Sequence, residues 1–274
     1  MPVEFSVVIP THRRPKELLD ALNSVRAQTN VTIEIIVVDD SPEGSARAVI
    51  ESLADPRITY LKNPKPTGGF PSIVRNLALP HLKGSFVHFL DDDDIAPEGH
   101  YAAVREAFAK HPRVGLVFGK IEPFGSAPLV QLKQERDYFT DAAQKAAACQ
   151  SFGKRWAFVG RMLFDKALLV CSASVIRRNC LVKLGGFDPE IRLMEDADYH
   201  VRAMREFGTY FMDRVVLQYR ISSPSLMHSP NPSAAQLKQQ REGHRKMHDK
   251  YLKERGVVEF YSLALLTRTL WKFL

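Results

Sequence analysis

Five short apolar runs alternate with helical patterns over the first half of the chain, and this alternation limits the fold more than any other feature. The runs are Phe5–Ile9, Ile33–Val38, Ile58–Leu61, Phe86–Leu90 and Val114–Ile121. The second run is apolar almost throughout, as expected of a strand that is buried on both faces. Strands that alternate with helices in this way build parallel sheets. The sequence therefore predicts an α/β fold with a mainly parallel, doubly wound sheet.

Three of these runs end in polar residues. The first continues into Pro10-Thr11-His12, the second ends in Asp39-Asp40, and the fourth ends in four consecutive acids, Asp91 to Asp94. In doubly wound sheets, ligands bind beyond the carboxyl ends of the strands. We therefore expect the three clusters to lie side by side at one rim and to form a site for a nucleotide and a metal.

The four acids at Asp91–Asp94 are unusual at the end of an apolar strand. Adjacent carboxylates repel one another and lose hydration when buried, so a fold does not place them there for stability. A divalent cation removes the conflict, because Mg²⁺ and Mn²⁺ bind carboxylate oxygens and keep positions for substrate phosphates. The alternative is a solvated acidic turn that caps the helix after Pro97. The preceding strand and the neighbouring polar clusters favour the metal site.

The second half of the chain is less regular. Residues Phe124–Asp165 have weak periodicity and predict loops with a helix near Ala142–Ala148. Glu195, Asp196 and Asp198 open a further helix, in whose first turn the macrodipole favours acids. Capping alone would also explain these three acids.

Composition and charge restrict the classes of partner. The chain has 274 residues, and its 38 basic and 31 acidic residues give a net charge of 38 − 31 = +7. Part of the excess lies in Lys238–Arg255, but aromatic residues are not interleaved there, so the sequence does not indicate a nucleic-acid partner. Cys149, Cys171 and Cys180 have no metal-like spacing, and no signal peptide or membrane span is visible. We therefore expect a cytoplasmic protein with reduced thiols.

Four ordered segments carry a resemblance to a known family. Between about Phe5 and Arg220 they read SVVIPTHRRP, EIIVVDDSPEGS, FVHFLDDDDIAPE and LGGFDPEIRLMEDADYHVRA. In this order and spacing they resemble family 2 glycosyltransferases with the GT-A fold. The resemblance implies an inverting, single-displacement transfer of a sugar from a nucleoside diphosphate donor, with Mn²⁺ or Mg²⁺ as cofactor. The Gln-x-x-Arg-Trp motif of the processive members is not found, so a polymerising synthase is not expected.

The resemblance also assigns the donor-binding residues. It implies that Pro10, Thr11 and Asp40 hold the nucleobase and ribose. Asp91 of the Asp-x-Asp motif and the neighbouring Asp92 are also predicted to bind the donor, at its diphosphate.

Metal binding and catalysis are assigned in the same way. Asp91 and Asp93 match the family's Asp-x-Asp motif, with Asp93 as the direct metal ligand. Asp196 matches the usual catalytic base, which takes the proton of the acceptor hydroxyl. The start of its helix is expected to keep Asp196 ionised. Glu195 and Asp198 are the competing candidates for this role.

Three further residues are candidates on chemical grounds alone. Arg75 and Lys65 flank the Gly68-Gly69 loop and are placed to reach the diphosphate, where a positive charge stabilises the leaving group. His228 is a candidate metal or phosphate contact from a late Ser/Pro-rich loop. Each of these residues is also consistent with an ordinary surface position.

The expected organisation has three parts. Residues 1–121 form the nucleotide-sugar-binding α/β half, residues 122–222 the acceptor-binding and catalytic half, and residues 223–274 a basic, helical C-terminal extension. The expected donor is a UDP-sugar, and the expected acceptor is a glycan or a lipid-linked glycan of cell-surface polysaccharide synthesis.

The C-terminal extension carries its own prediction. From Val257 to Leu274, apolar residues recur near one helical face, at Phe260, Leu263, Ala264, Leu270, Trp271 and Leu274. This face is predicted to dock peripherally on the anionic inner face of a membrane, where a lipid-linked acceptor would lie. Packing on the catalytic domain or an oligomer contact would explain the same pattern.

Two other classes of function remain open at this point. A sugar-nucleotide nucleotidyltransferase usually has a Gly-rich loop after its first strand, whereas this chain has Pro-Thr-His-Arg-Arg-Pro there. A noncatalytic sugar- or nucleotide-binding module would need the same rim but no base.

Overall fold

The computed structural model describes residues 2–152, 154–222 and 233–271. Their strands are β1 Phe5–Thr11, β2 Ile33–Asp39, β3 Ile58–Lys62, β4 Phe86–Phe89, β5 Val114–Phe124, β6 Ser174–Arg177 and β7 Gly208–Arg220. Their α-helices are α1 Pro15–Arg26, α2 Arg47–Leu53, α3 Pro71–Leu77, α4 His100–Lys110, α5 Leu129–Phe152, α6 Lys154–Phe164, α7 Arg178–Leu184, α8 Glu195–Glu206, α9 Ala234–Arg255 and α10 Val257–Arg268.

The described strands form one sheet in the order β3-β2-β1-β4-β6-β5-β7. Neighbouring strands are parallel except at β6, which is antiparallel to both β4 and β5. The predicted mainly parallel, doubly wound sheet is therefore confirmed. The chain moves outward from β1 to β3 and then returns to the other side of β1 with β4, so the strand order reverses between β1 and β4. A crevice at such a reversal is the usual ligand site of this fold class.

Both faces of the central strands are buried. Val7 and Val37 on one face have no exposed surface, and neither does Val8 on the other face, where Ile36 is 1% exposed, in agreement with the apolar character of β1 and β2. This buried centre fixes the positions at which β1, β2 and β4 end, and those ends carry the polar clusters.

The prediction of loops over Phe124–Asp165 is wrong, because α5 and α6 occupy most of this segment, although the helix predicted near Ala142–Ala148 is present as part of α5. The buried residues of α5 recur at helical spacing, at Phe139, Ala142, Ala146 and Cys149. Three of these four side chains are small and contribute little to a hydrophobic pattern. The two helices roof the cavity described below.

The predicted helical C-terminal extension is confirmed as α9 and α10. Leu263 and Ala264 are buried, and the ring of Phe260 lies 4.9 Å from that of Phe164 on α6. Most of the apolar face that the sequence predicts for membrane docking thus packs on the domain, whereas Leu270 of the same face is 66% exposed. No helix among the described residues is long and apolar enough to cross a membrane. The functional division into three parts stays a prediction.

Candidate active site

A cavity of about 1100 Å³ opens at the carboxyl ends of β1, β2 and β4. The described residues that the sequence predicts for the site line it: Pro10, Thr11, Asp40, Arg75, Asp91, Asp92, Asp93 and Asp196. Lys65 is not part of the lining, and His228 lies outside the described residues. The three polar strand ends thus share one rim, while the roles of the residues stay predictions.

Asp40 lies just after β2 and holds a loop over the rim. One carboxylate oxygen accepts the side-chain amide of Asn63 at 2.6 Å and the backbone N–H of Thr67 at 2.9 Å. The other accepts the backbone N–H of Gly69 at 2.7 Å, a residue whose φ of 82° favours glycine. Burial alone would raise the pKa of Asp40, but these donors together hold it below the usual value. Asp40 therefore organises the loop that covers the predicted nucleotide site.

The acid run after β4 is an internal structure and not a solvated turn. The hydroxyl of Thr11 donates to Asp92 at 2.7 Å, and the backbone N–H of Arg220 donates to Asp94 at 3.0 Å. Asp92 and Asp94 are buried, whereas Asp93 is partly exposed to the cavity. Two of the four carboxylates are thus structural.

The conflict among these acids is relieved in two ways that need no metal. Arg14 places Nη1 2.6 Å from Asp93 and 3.2 Å from Asp92. Burial, and then the charge of Asp93, raise the pKa of Asp92 to about 7 against the opposing effects of Arg14 and Thr11. Burial and the neighbouring carboxylates raise the pKa of Asp94 well above its usual value. Protonation therefore relieves part of the repulsion among these carboxylates, which we expected from the sequence to be relieved by a divalent cation.

Arg75 on α3 joins the acid run to the second acid cluster. Its guanidinium is buried and donates to Asp91 at 2.6 Å and to Glu195 at 2.8 Å, and it lies 5.2 Å from the ring of Phe187. The sequence places Arg75 near the diphosphate but does not predict this bridge. No local pattern indicates a pair separated by 120 positions, such as Arg75 and Glu195.

The three acids at the start of α8 occupy different environments. Asp196 lines the cavity and accepts the backbone N–H of Ala197 at 2.8 Å. Asp198 is buried away from the cavity, where it pairs with Arg202 at 2.8 Å and Lys250 at 3.2 Å. Glu195 lines the cavity but is held by Arg75. Among the three, Asp196 lines the cavity outside these ion pairs, so it stays the candidate base.

The pKa of Asp196 departs from the expectation of a readily ionised group. Burial raises its pKa, and the charge of Asp91 adds to this effect, while Arg75 and the N–H of Ala197 oppose it. Burial and the charge of Asp196 likewise raise the pKa of Glu195 to about 7. The helix start therefore does not by itself keep these acids ionised, and the protonation of Glu195 is sensitive to pH near neutrality.

A divalent cation fits this rim only together with a ligand. Within the described residues, no three His, Cys, Asp or Glu side chains converge on a ready-made metal site. Asp91 and Asp93 expose 31% and 20% of their side chains. Mg²⁺ is commonly bound by one or two carboxylates together with substrate phosphates. The donor set thus suits a cation that arrives with a diphosphate.

The sequence predicts an acceptor-binding half over residues 122–222 but does not predict which of its residues line the second side of the cavity. Helices α5 and α9, with the segment that follows α6, supply polar and charged lining residues there: Gln134, Glu135, Tyr138, Asp165, Gln240, Arg241 and His244. Typical small-molecule sites enclose roughly 300–1,000 Å³, so the cavity has room for a second ligand beside a nucleotide. A helical pattern at Phe139, Ala142 and Ala146 is the signal that would locate one of these helices.

The sheet order, the rim of carboxylates and the facing acid pair define a GT-A type glycosyltransferase. The chain belongs to glycosyl transferase family 2, since the family model matches residues 6–166, more than half of its length.

Individual relatives resemble the chain in part. A GalNAc(5)-diNAcBac-PP-undecaprenol beta-1,3-glucosyltransferase of Campylobacter jejuni is 38% identical over 93 residues, which are 33% of this chain and 30% of that protein. An uncharacterized glycosyltransferase of Haemophilus influenzae is 23% identical over 202 residues, which are 74% of this chain and 62% of that protein. The chain thus spans less than two thirds of the length of these curated relatives.

Two solved structures show the same fold. TarS 1-349 of S. aureus in complex with UDP-GlcNAc has a TM-score of 0.66 at 19% identity, covering 91% of this chain and 67% of that chain. The mannosyltransferase PcManGT of Pyrobaculum calidifontis, in complex with GDP-Man and Mn²⁺, has a TM-score of 0.59 at 16% identity, covering 100% and 84%.

Proposed function

We propose that this chain is a metal-dependent, inverting glycosyltransferase that moves a sugar from a UDP-sugar to a glycan or lipid-linked acceptor in cell-surface polysaccharide synthesis. The observation that carries the proposal is one cavity in which Asp91 and Asp93 face Asp196, with Arg75 between the two groups. A structure that only binds a nucleotide does not need a second buried acid cluster on the acceptor side.

The donor lies across the rim. Pro10, Thr11 and the loop held by Asp40 surround the nucleoside, and Asp91 and Asp92 lie at the diphosphate. Asp93 and Asp91 would hold Mn²⁺ or Mg²⁺, and a bound cation would supply positive charge against the charge that develops on the leaving diphosphate. UDP-GlcNAc and GDP-Man are bound by the two structural relatives, so a UDP donor is supported by one of them and not by both.

The transfer needs one proton to move. The acceptor hydroxyl oxygen attacks the anomeric carbon from the face opposite the diphosphate, and Asp196 takes the hydroxyl proton. The new carbon–oxygen bond forms as the bond to the diphosphate breaks, and the nucleoside diphosphate leaves with the electron pair. A single displacement of this kind inverts the anomeric centre. Burial raises the pKa of Asp196, which makes its carboxylate a stronger base than an exposed aspartate.

The function is tested by nucleotide binding and transfer together. Thermal unfolding of the purified chain is measured with UDP, GDP and dTDP, each with Mn²⁺ or with EDTA, because a ligand of the folded state raises its stability. Protection by one nucleotide that requires Mn²⁺ and is lost in Asp93→Ala supports the donor site. Equal protection in EDTA contradicts it. Products from a panel of UDP-sugars then separate transfer from binding alone, and release of pyrophosphate from a nucleoside triphosphate would indicate a nucleotidyltransferase.

The acceptor proposal includes a peripheral contact with an anionic membrane, made by the outward face of α10. Val257, Val258, Tyr261 and Leu265 are more than half exposed on this face, opposite the residues that pack on α6. The face carries exposed Arg268, while Glu259 of the same helix is turned inward and paired with Arg205. An apolar face with basic and no acidic neighbours on its own helix suits an anionic lipid surface. The undecaprenol-linked acceptor in the name of the Campylobacter relative supports this choice.

Vesicle flotation tests this contact. The double change Val258→Glu with Leu265→Glu is compared with Leu129→Glu with Val130→Glu, an equally exposed apolar pair on α5. We expect the wild type and the α5 variant to float with anionic vesicles and the α10 variant to stay behind. If light scattering instead shows a dimer that only the α10 variant dissociates, the face binds a second copy and the membrane contact is wrong. Equal behaviour of all three chains on vesicles also excludes it.

A further inference from the structure

Two adjacent arginines follow β1, and only the second faces the cavity. Arg13 has a positive φ of 58° and pairs with Glu43 at the surface, at 2.8 Å. Arg14 instead turns inward and places Nη1 2.6 Å from Oδ2 of Asp93 and 3.2 Å from Oδ1 of Asp92. Its guanidinium is therefore paired with the carboxylate of Asp93, which the proposed function assigns to the metal.

We infer that Arg14 exchanges partners when the donor binds, leaving Asp93 to the divalent cation and pairing with the donor's diphosphate. The inference rests on the proposed function. A guanidinium and a divalent cation at one carboxylate oxygen repel each other strongly at such short distances, so the cation must displace the contact of Nη1. A diphosphate beside the cation offers the guanidinium two anionic oxygens in the geometry that arginine binds best.

The other arginines that contact the acid run in the described part of the chain are fixed. Arg75 is 4% exposed and held by Asp91 and Glu195. Arg220 donates Nε to the carbonyl oxygen of Asp93 at 2.8 Å and is tied to Asp20 at 2.9 Å. The Arg14 side chain is 41% exposed, and within the described residues its guanidinium is paired with Asp92 and Asp93 of the acid run. Arg14 is thus the arginine of this group with room to rotate.

This exchange makes Arg14 a positioning residue that couples the two ligands. A cation without nucleotide must break the contact between Arg14 and Asp93 and gives the arginine no new partner. A nucleotide without a cation competes with Asp93 for the arginine. When both bind, each carboxylate, phosphate and cation finds a partner of opposite charge. By linkage, the cation and the nucleotide must then improve each other's affinity by the same factor.

The test measures Mn²⁺ binding directly. Free Mn²⁺ is followed by electron paramagnetic resonance during titration of the full chain, with and without saturating UDP. We expect the wild type to bind Mn²⁺ weakly alone and at least about fivefold more tightly with UDP, the lower end of usual couplings. In Arg14→Ala, Mn²⁺ alone should bind at least about fivefold more tightly than in the wild type, and the enhancement by UDP should shrink. Arg14→Gln, which keeps most of the side-chain length, should behave in the same way.

Arg13→Ala is the matched control, because it removes a neighbouring positive charge that does not touch the acid run. It should leave both Mn²⁺ affinities at the wild-type values. If the wild type couples Mn²⁺ and UDP but folded Arg14→Ala and Arg14→Gln keep the wild-type affinity for Mn²⁺ alone, the exchange is wrong and the proposed function stands. If Arg13→Ala has the effect of Arg14→Ala, the effect is one of general charge, and the exchange is again wrong. A wild type that binds no Mn²⁺ with any nucleotide overturns both.

Discussion

At the residue scale, the start of α8 gives two acids of one helical turn different tasks. Asp198 is paired with Arg202 of the same helix and with Lys250 of α9, so it stabilises the packing of α8 against α9. Asp196 has a single backbone donor and opens on the cavity. The substitution of each acid by its amide should therefore affect different properties of the protein.

Asp196→Asn should lower transfer by on the order of 10²–10⁴, because the amide cannot accept the hydroxyl proton. Its affinity for UDP with Mn²⁺ should remain close to that of the wild type. Asp198→Asn is the comparison and should lower the free energy of unfolding while keeping most of the transfer rate. Steady-state transfer and chemical unfolding of both variants check this. Loss of transfer in Asp198→Asn with an active Asp196→Asn would reverse the assignment.

The donor side of the site follows from the sequence more directly than the acceptor side. Thr11, Asp40 and Asp91 each follow an apolar run, and the rule for parallel sheets brings such strand ends together. The partners of Arg14 and Arg75 depend on side-chain direction across loops, which no periodicity records. The sequence indicates that basic residues follow the first strand, but it does not show that Arg13 points outward and Arg14 inward.

At the element scale, α9 holds the segment that leads into α8. Lys250 pairs with Asp188 at 2.6 Å, and Lys246 donates to the carbonyl oxygen of Glu190 at 2.8 Å. The basic stretch that is predicted from the sequence to be a separate extension thus uses part of its positive charge in contacts within the chain. Gly243 of α9 lies directly against the backbone of Leu193, just before α8.

Gly243→Ala should therefore destabilise the protein. In an unconstrained helix interior this change stabilises by roughly 0.5–1 kcal/mol. Here the new Cβ would meet the carbonyl oxygen of Leu193, a backbone atom that cannot move without the loop before Asp196. Overpacking of this kind typically costs about 1–3 kcal/mol, so the net effect should be a loss of stability and of transfer. Urea unfolding gives the sign, and a gain in stability would show that α9 is not seated on this loop.

At the scale of the whole molecule, buried titratable groups act on stability in opposite directions. Burial lowers the pKa of His88 to about 4 and that of His200 to about 3. The unfolded chain therefore binds more protons than the folded one at these histidines between about pH 4 and 6.5, and stability rises with pH in that window. Asp92 and Glu195, each with a pKa of about 7, do the reverse. The folded protein holds protons that the unfolded chain releases near pH 4, so their contribution to stability falls as the pH rises to 7.

Because these contributions oppose each other, the pH dependence of wild-type stability does not separate the contribution of Asp92 from that of the histidines. The variant Asp92→Asn does separate it. The amide keeps an oxygen that accepts the Thr11 hydroxyl and removes the charge that burial disfavours. Asp92→Asn should raise the free energy of unfolding modestly at pH 5, where the folded protein still holds the Asp92 proton but the unfolded chain has already released it. At pH 8 the gain should exceed the gain at pH 5 by at least about 1 kcal/mol, the equivalent of less than one unit of the raised pKa. Urea unfolding of the metal-free chain at both pH values measures the difference. An equal effect at pH 5 and pH 8 would mean that Asp92 is ionised throughout, with Arg14 outweighing burial.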